Sequence, residues 1–221
     1  MKDIPSSPGG RKIRAWVAEG EHELQDFKLT ISDARKIARS ISAFANRGGG
    51  RLLIGVKDNG VIAGVRNEED VFVVEQAASR YCSPAQDVSF HAYTVDTHVT
   101  VIVASVPEAL ERPVEVLEAD GQKRAYVRVA DENILAHPLM VRGWRLRARS
   151  APGALSIGRD ESRILSYLAE IPEHGVDERD IAVALHLSLA GVNRMLESLA
   201  ALGLLNFTFD GTRFRLAPTS L

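Results

Sequence analysis

The chain has 221 residues, of which 45% are hydrophobic and 25% charged, and its formal net charge is −2. That length holds one large domain or two small ones, and the composition excludes a disordered or collagen-like chain. A single cysteine, Cys82, excludes an intramolecular disulfide and a cysteine-rich zinc site, and no apolar run approaches the ~20 residues that cross a bilayer. The reading is therefore a protein of the cytoplasm without a membrane partner.

In chain order, residues 1–14 lack the apolar core of a secretory signal and read as a flexible leader. Glu21–Lys28 (EHELQDFK) carries two spaced acids and a lysine. Ser32 or Asp33 can cap a helix over 34–46, where Ile37, Ile41, Phe44 and Ala45 recur at helical spacing. Gly48–Gly50 end it. Arg51–Val56 reads as a strand, Asp58-Asn59-Gly60 as a tight turn, and Val61–Val65 as the returning strand. Asn67 is expected to start a helix through Tyr81, with Cys82 as a buried thiol. Val88–Val95 and Val99–Val106 flank Asp96-Thr97-His98 as a second hairpin. Arg124–Val129 is a further strand, and Pro138–Leu146 a closing helix. Mixed hairpins and helices without a βαβ rhythm predict an α+β fold with a mixed sheet over residues 15–146.

Arg147–Gly158 (RARSAPGALSIG) reads as a linker, 147–158. Beyond it the pattern changes. Asp160–Glu170 is amphipathic, Asp177 caps Glu178–Leu187, and Ser188 caps Leu189–Leu202, which Gly203 ends. Leu204–Phe209 and Thr212–Leu216 are strands joined through Asp210-Gly211. Three helices and a terminal hairpin predict a winged helix-turn-helix domain over 159–217. Residues 151–221 hold 6 basic and 9 acidic residues, leaving 21 basic and 20 acidic in the rest. Neither part is strongly basic, which weighs against tight non-specific duplex binding.

Glu21, Asp26-Phe27-Lys28, Ala43-Phe44-Ala45-Asn46, Gly48–Gly50 and Leu53-Ile54-Gly55-Val56 together resemble the Schlafen-type AlbA_2 family. Tyr126-Val127-Arg128-Val129 followed by Asp131-Glu132-Asn133 is similar to that family's downstream signature. The resemblance spans roughly residues 15–145 and implies a nucleic-acid-handling domain. Bacterial members often carry a winged helix as well. Some Schlafen relatives are metal-dependent RNases with three clustered acids, and Glu21, Asp26 and Asp58 stand at the matching places. Lys57-Asp58 occupies a turn where two acids are common in the family.

Clustered carboxylates can hold Mg²⁺ or Mn²⁺, which activates water, while Lys28 would steady a scissile phosphate. The competing reading is a surface acid network with Lys28 in a salt bridge. Lys28, Asn46, Arg47, Arg51 and Arg128 are candidates for contact with a nucleic-acid backbone, or for caps and ion pairs within the fold. In the second region Asn193 and Arg194 on the third helix and Arg213 on the wing are candidates. That is a short supply of cations, and winged helices also dimerise or dock proteins. The glycines at 48–50 follow a helix and precede a strand, the reverse of a P-loop, and no Gly-Lys-Ser/Thr follows, so ATP is not supported. The six histidines are dispersed, and no nucleophile elbow is present. The sequence thus points to a nucleic-acid-binding regulator of DNA or RNA, resembling transcriptional regulators and assembled as a homodimer. Its alternatives are a metal-dependent RNase and a protein-interaction adaptor.

Overall fold

One strand buried on both faces decides the architecture of the first unit. The computed structural model describes residues 4–66, 69–171 and 173–218. The chain divides into two units, Met1–Ala136 and His137–Leu221. The first opens with β1 (Ser6–Pro8), α1 (Gly10–Glu19), β2 (Gln25–Lys28), α2 (Ala34–Ala45) and β3 (Gly50–Ile54). Next come α3 (Glu69–Gln76), a π-helical stretch Ala77–Tyr81, β4 (Cys82–Ser83), β5 (Ser89–Asp96) and β6 (Val99–Val106). The unit ends with β7 (Glu115–Leu117), β8 (Lys123–Val129) and β9 (Glu132–Leu135). One sheet runs β1-β5-β6-β3-β2 and a second β4-β7-β8-β9. β2 is parallel to β3, and β3 is antiparallel to β6. This is an α+β fold with a mixed sheet, as the sequence pattern predicts.

Alternation along β3 and β6 sends side chains to opposite faces. Leu52, Ile54, Ile102 and Ala104 pack with Ile37, Ile41 and Phe44 of α2. Leu53, Val101 and Val103 pack with Ile13 of α1 and Phe27 of β2. A strand covered on both sides reads as a continuous apolar run, as Leu52-Leu53-Ile54 does. Asp33 caps α2, accepting the amides of Arg35 and Lys36. At its far end Gly49 sits at φ 83°, and a Cβ on Gly50 would lie 2.2 Å from the Phe44 ring. The glycine turn is thus the condition for Phe44 to pack beneath β3.

Three expectations are corrected. The leader 1–14 is not flexible from residue 4 onward. β1 pairs in parallel with β5, and α1 already begins at Gly10. A cation–aromatic stack holds it. Lys12 Nζ donates to Tyr93 Oη at 2.7 Å and stands 4.6 Å from the Trp16 ring centre, and Arg51 stands 4.1 Å from the same ring. Val61–Val65 is no returning strand. Only an isolated Val56–Ile62 bridge forms, and the segment turns away so that the Val65 amide reaches Thr100 O at 2.8 Å. Asn67, the expected helix start, lies outside the described residues, and α3 is helical from Glu69.

The third correction concerns the boundary. α4 (Pro138–Arg149) belongs to the second unit, not the first. It is followed by α5 (Arg159–Ala169), α6 (Glu178–Leu185), α7 (Leu189–Ala201) and the antiparallel pair β10 (Asn206–Phe209) and β11 (Phe214–Ala217). Asp177 and Asp180 form a reciprocal capping box on α6, and Ser188 caps α7. Leu139 of α4 joins Ile164, Leu168, Ile181, Leu196 and Leu199 in one core. Gly143 permits the contact, because a Cβ there would lie 2.5 Å from Ala200 Cβ and 2.8 Å from its carbonyl carbon. Gly143→Val is therefore expected to lower the stability of the second unit by about 1–3 kcal/mol in urea denaturation. An unchanged midpoint would detach α4 from this core.

Candidate nucleic-acid interface

β2 is polar in sequence yet buried, because its polar groups meet partners from distant elements. Gln25 Nε2 donates to the carbonyls of Trp16 and Gly20, and Gln25 Oε1 accepts from Arg51 Nε at 2.6 Å. Asp26, 3% exposed, has a carboxylate 2.8 Å from Lys28 Nζ and 3.2 Å from Arg128 Nη2. Ser40 of α2 donates to it at 3.3 Å. Arg128, on β8 and 1% exposed, donates to the carbonyls of His22 and Gln25 and to Asn133 Oδ1. Asn133 Nδ2 closes the ring by donating to Ser40 Oγ at 2.9 Å. The buried guanidinium is thus paired, with a partner on each of its three nitrogens, the condition under which a charge survives burial.

Glu21 Oε1 accepts the Phe27 amide at 2.8 Å. Burial, and then hydrogen bonding to Asp26, pushes the Glu21 carboxyl up to about 7. Burial alone would raise Asp26 too, but the bond from Glu21 and the charges of Lys28 and Arg128 outweigh it and hold Asp26 below its ordinary value. The pair therefore keeps its proton on Glu21. Over this floor opens a cleft of about 590 Å³. Lys28, Lys36 and Arg39 line it together with Asp33, Asp131 and Glu132. Arg39 is itself held by Glu118, through contacts of 2.8 and 2.6 Å, and Tyr126 donates to the same carboxylate at 2.6 Å. The Arg39 fork, more than any other group, holds Glu118 below its ordinary value.

Of the acids proposed for metal, the structure brings Glu21 and Asp26 together. Asp58 is exposed on the Lys57–Gly60 turn. Among the described residues, no group of three or more His, Cys, Asp and Glu side chains is placed to hold a metal ion. The donor set also fits poorly. Asp26 already serves two cations and a hydroxyl, and Glu21 is bound to the Phe27 amide. As placed, these residues do not fit Mg²⁺ or Mn²⁺.

Asn46 and Arg128 are corrected as backbone-contact residues, because both are interior. Asn46, 2% exposed, donates to Val114 O and Tyr126 O and accepts the Val114 amide at 2.8 Å. Arg51 is engaged by Gln25 and by Glu19 at 2.7 Å, and Arg47 by Glu23 at 3.3 Å and by Arg128 O. Lys28 is partly exposed beside Asp26. In the second unit Arg194 and Arg213 are exposed, and Asn193 is half-buried. Lys36, Arg39, Ser40 and Asn133 were missed. Lys36 and Arg39 could have been found by asking what the polar side of the 34–46 helix presents. Cys82 is buried, and burial raises its thiol to about 12, which suits a packing role.

The first unit is thus an α+β domain with a buried ion network under an open cleft of mixed charge. Residues 21–137 match the family model Schlafen, AlbA_2, and the chain belongs to that family. Among solved structures, the DIP2311 protein of Corynebacterium diphtheriae is similar at 20% identity with a TM-score of 0.46. The match covers 90% of this chain and 36% of that one, so the chain spans about a third of that protein's length. A comparison with curated proteins gave no match. No helix among the described residues is long and apolar enough to cross a membrane.

Two measurements check this site. Between about pH 4.5 and 7 folded Glu21 keeps a proton that the unfolded chain has released. Its stabilisation is therefore complete below about 4.5 and lost as pH rises through about 7. The Glu21 carboxyl should titrate near 7 by carbon NMR, and Glu21→Gln should remove that part of the pH dependence of unfolding. Titration near 4.5 would dissolve the pair. Asn46→Ala should cost about 2–4 kcal/mol by leaving Val114 and Tyr126 backbone groups unpaired, and a near-neutral result would return Asn46 to the surface.

Proposed function

We propose that this protein binds nucleic acid as a regulator, with the AlbA_2 domain and a second unit that serves as a winged helix-turn-helix. The observation that carries the reading is the cleft over Asp26, inside the family-matched segment. Its floor is rigid, because the ionic groups there are committed to one another. Its edge offers Lys36, exposed and with no side-chain partner among the described residues, beside Lys28. Balanced acids at 131 and 132 disfavour indiscriminate phosphate binding and leave hydrogen-bonding groups for sugar and base edges. In the second unit, the order of three helices, two of them capped by side chains, and a two-stranded hairpin supports the winged-helix reading, with Asn193, Arg194 and Arg213 toward the ligand. Two copies would join modest patches into one longer surface, which favours a homodimer. The cytoplasm, with its nucleic acid, is the setting.

The charge of the second unit bears on the adaptor alternative. Residues 151–221 are acidic, but the unit as folded starts at His137 and gains four arginines without an acid. It then holds 10 basic and 9 acidic residues, a net of +1. The net acidity of residues 151–221, which would suit a purely protein-docking role, is absent from the folded unit.

The test incubates purified protein with labelled tRNA and duplex DNA, with and without Mn²⁺, and reads retardation and cleavage together. Salt-sensitive retardation without cleavage is expected, with Lys36→Glu weakening it about three- to tenfold. No retardation at low salt overturns the reading. Metal-dependent cleavage lost in Glu21→Gln with Asp26→Asn replaces it with the RNase. Light scattering should give twice the chain mass.

A further inference from the structure

We infer that Arg35 and Tyr81 form an oxyanion site beside the cleft, and that it holds a backbone phosphate of a nucleic-acid strand leaving the cleft along α2. The inference rests on the nucleic-acid reading above and adds a contact outside the cleft's own lining.

Two arginine–tyrosine pairs follow one another along α2. Arg35 and Arg39 are four residues apart, hence on one side of the helix. The Arg39 guanidinium carbon stands 5.7 Å from the Tyr126 ring centre, and that of Arg35 stands 5.0 Å from the Tyr81 ring centre. Arg39 shows what such a pair takes. Its Nε and Nη2 donate to the two oxygens of Glu118 at 2.8 and 2.6 Å, and the Tyr126 hydroxyl donates to the first of them at 2.6 Å. One carboxylate thus answers three donors.

Arg35 has no such acid. Its Nε is the one buried side-chain nitrogen or oxygen without a hydrogen-bond partner among the described residues. Nor does its guanidinium form an ion pair, or the Tyr81 hydroxyl a hydrogen bond, with any of them. A donor that has lost water and gained no acceptor costs stability, so such a group calls for an acceptor from outside the chain. A water would satisfy one proton. An oxyanion also answers the charge and spans two nitrogens of the fork. Arg35 as a whole is only half-buried, so a turn of its outer bonds brings the Nε edge to solvent.

Position names the source of the oxyanion. Lys36, the next residue, lines the cleft together with Arg39, while Arg35 lies outside that lining. Ala34–Ala45 carries these three cations and no acid. A strand whose phosphate meets Lys36 at the cleft edge therefore finds its next cation in Arg35. The pair also lies within the family-matched segment, against the cleft proposed for nucleic acid, which favours phosphate over the carboxylate of an acidic peptide.

Fluorescence anisotropy of the full chain with labelled duplex DNA and with tRNA, across about 50 to 200 mM salt, tests this. Arg35→Gln should weaken binding about three- to tenfold and flatten the log–log salt slope by about 0.9 on duplex DNA, one lost contact's worth. Arg35→Lys should keep the slope while losing part of the affinity, and Tyr81→Phe should do the same by removing only the hydroxyl. Arg11→Gln removes an equal charge from an exposed position on α1 and should leave binding intact. Thermal melts separate binding from construction. Arg39→Gln strands Glu118 and should lower Tm, whereas Arg35→Gln should leave Tm level or raise it. Equal weakening by Arg11→Gln, an unchanged slope in Arg35→Gln, or a Tm of Arg35→Gln that falls as that of Arg39→Gln does overturns the proposal while the nucleic-acid reading stands. Wild-type protein that binds neither probe overturns the reading itself, and the site with it. Binding of inorganic phosphate alone or of a polyglutamate peptide, lost in Arg35→Gln while nucleic-acid affinity is unchanged, assigns the pair to that ligand and also overturns the proposal.

Discussion

The first unit depends on one ion pair inside it, Arg128 with Asp26. A guanidinium at 1% exposure is tolerable only where charge and hydrogen bonds replace water. Here each replacement comes from a different part of the chain: the loop at His22, the end of β2, the β9 residue Asn133, and through it Ser40 of α2. The pair thereby fixes where β2 lies relative to α2 and the second sheet. Removing either charge would strand the other, so the two are coupled more tightly than any apolar contact nearby. The Phe44 ring, 5.3 Å below the guanidinium, ties the network to the apolar core.

A second network works in the same way one turn further along. Asn46 at the end of α2 occupies the place a backbone strand would take, donating to two carbonyls and accepting one amide between β7 and β8. Ser42 assists, donating to Val114 O and accepting the Tyr126 amide. The Ala-Phe-Ala-Asn stretch thus serves construction: Phe44 fills the core, and Asn46 joins helix to sheet.

The sequence disclosed what local chemistry specifies. The Asp33, Asp177 and Ser188 caps, the helix over 34–46 and the hairpin around Asp96 all follow from nearby residues, and they are where the pattern puts them. The glycine turn and the apolar run after it likewise carry their meaning in a few residues. What stayed hidden depends on distant partners. Gln-Asp-Phe-Lys looks like surface loop until Arg51 and Arg128 arrive to satisfy it. Asn46 and Arg128 have the chemistry of ligand-binding residues, and only their burial shows where that chemistry is used. Arg147–Gly158 resembles a linker in composition, yet its first residues complete a packed helix, because Gly143 lets two backbones approach. One local signal was present and overlooked: Ile13, Trp16 and Val17 have helical spacing and mark α1.

α1 has a practical consequence for anyone trimming this protein. The family-matched segment begins at residue 21, so a fragment cut to it would lose the helix that covers Phe27, Leu53, Val101 and Val103. An entire sheet face would then meet solvent as a broad, flat, oily patch, the kind that drives chains to aggregate during expression. The natural unit of handling starts well before the recognisable motif, at the short strand that pairs with β5.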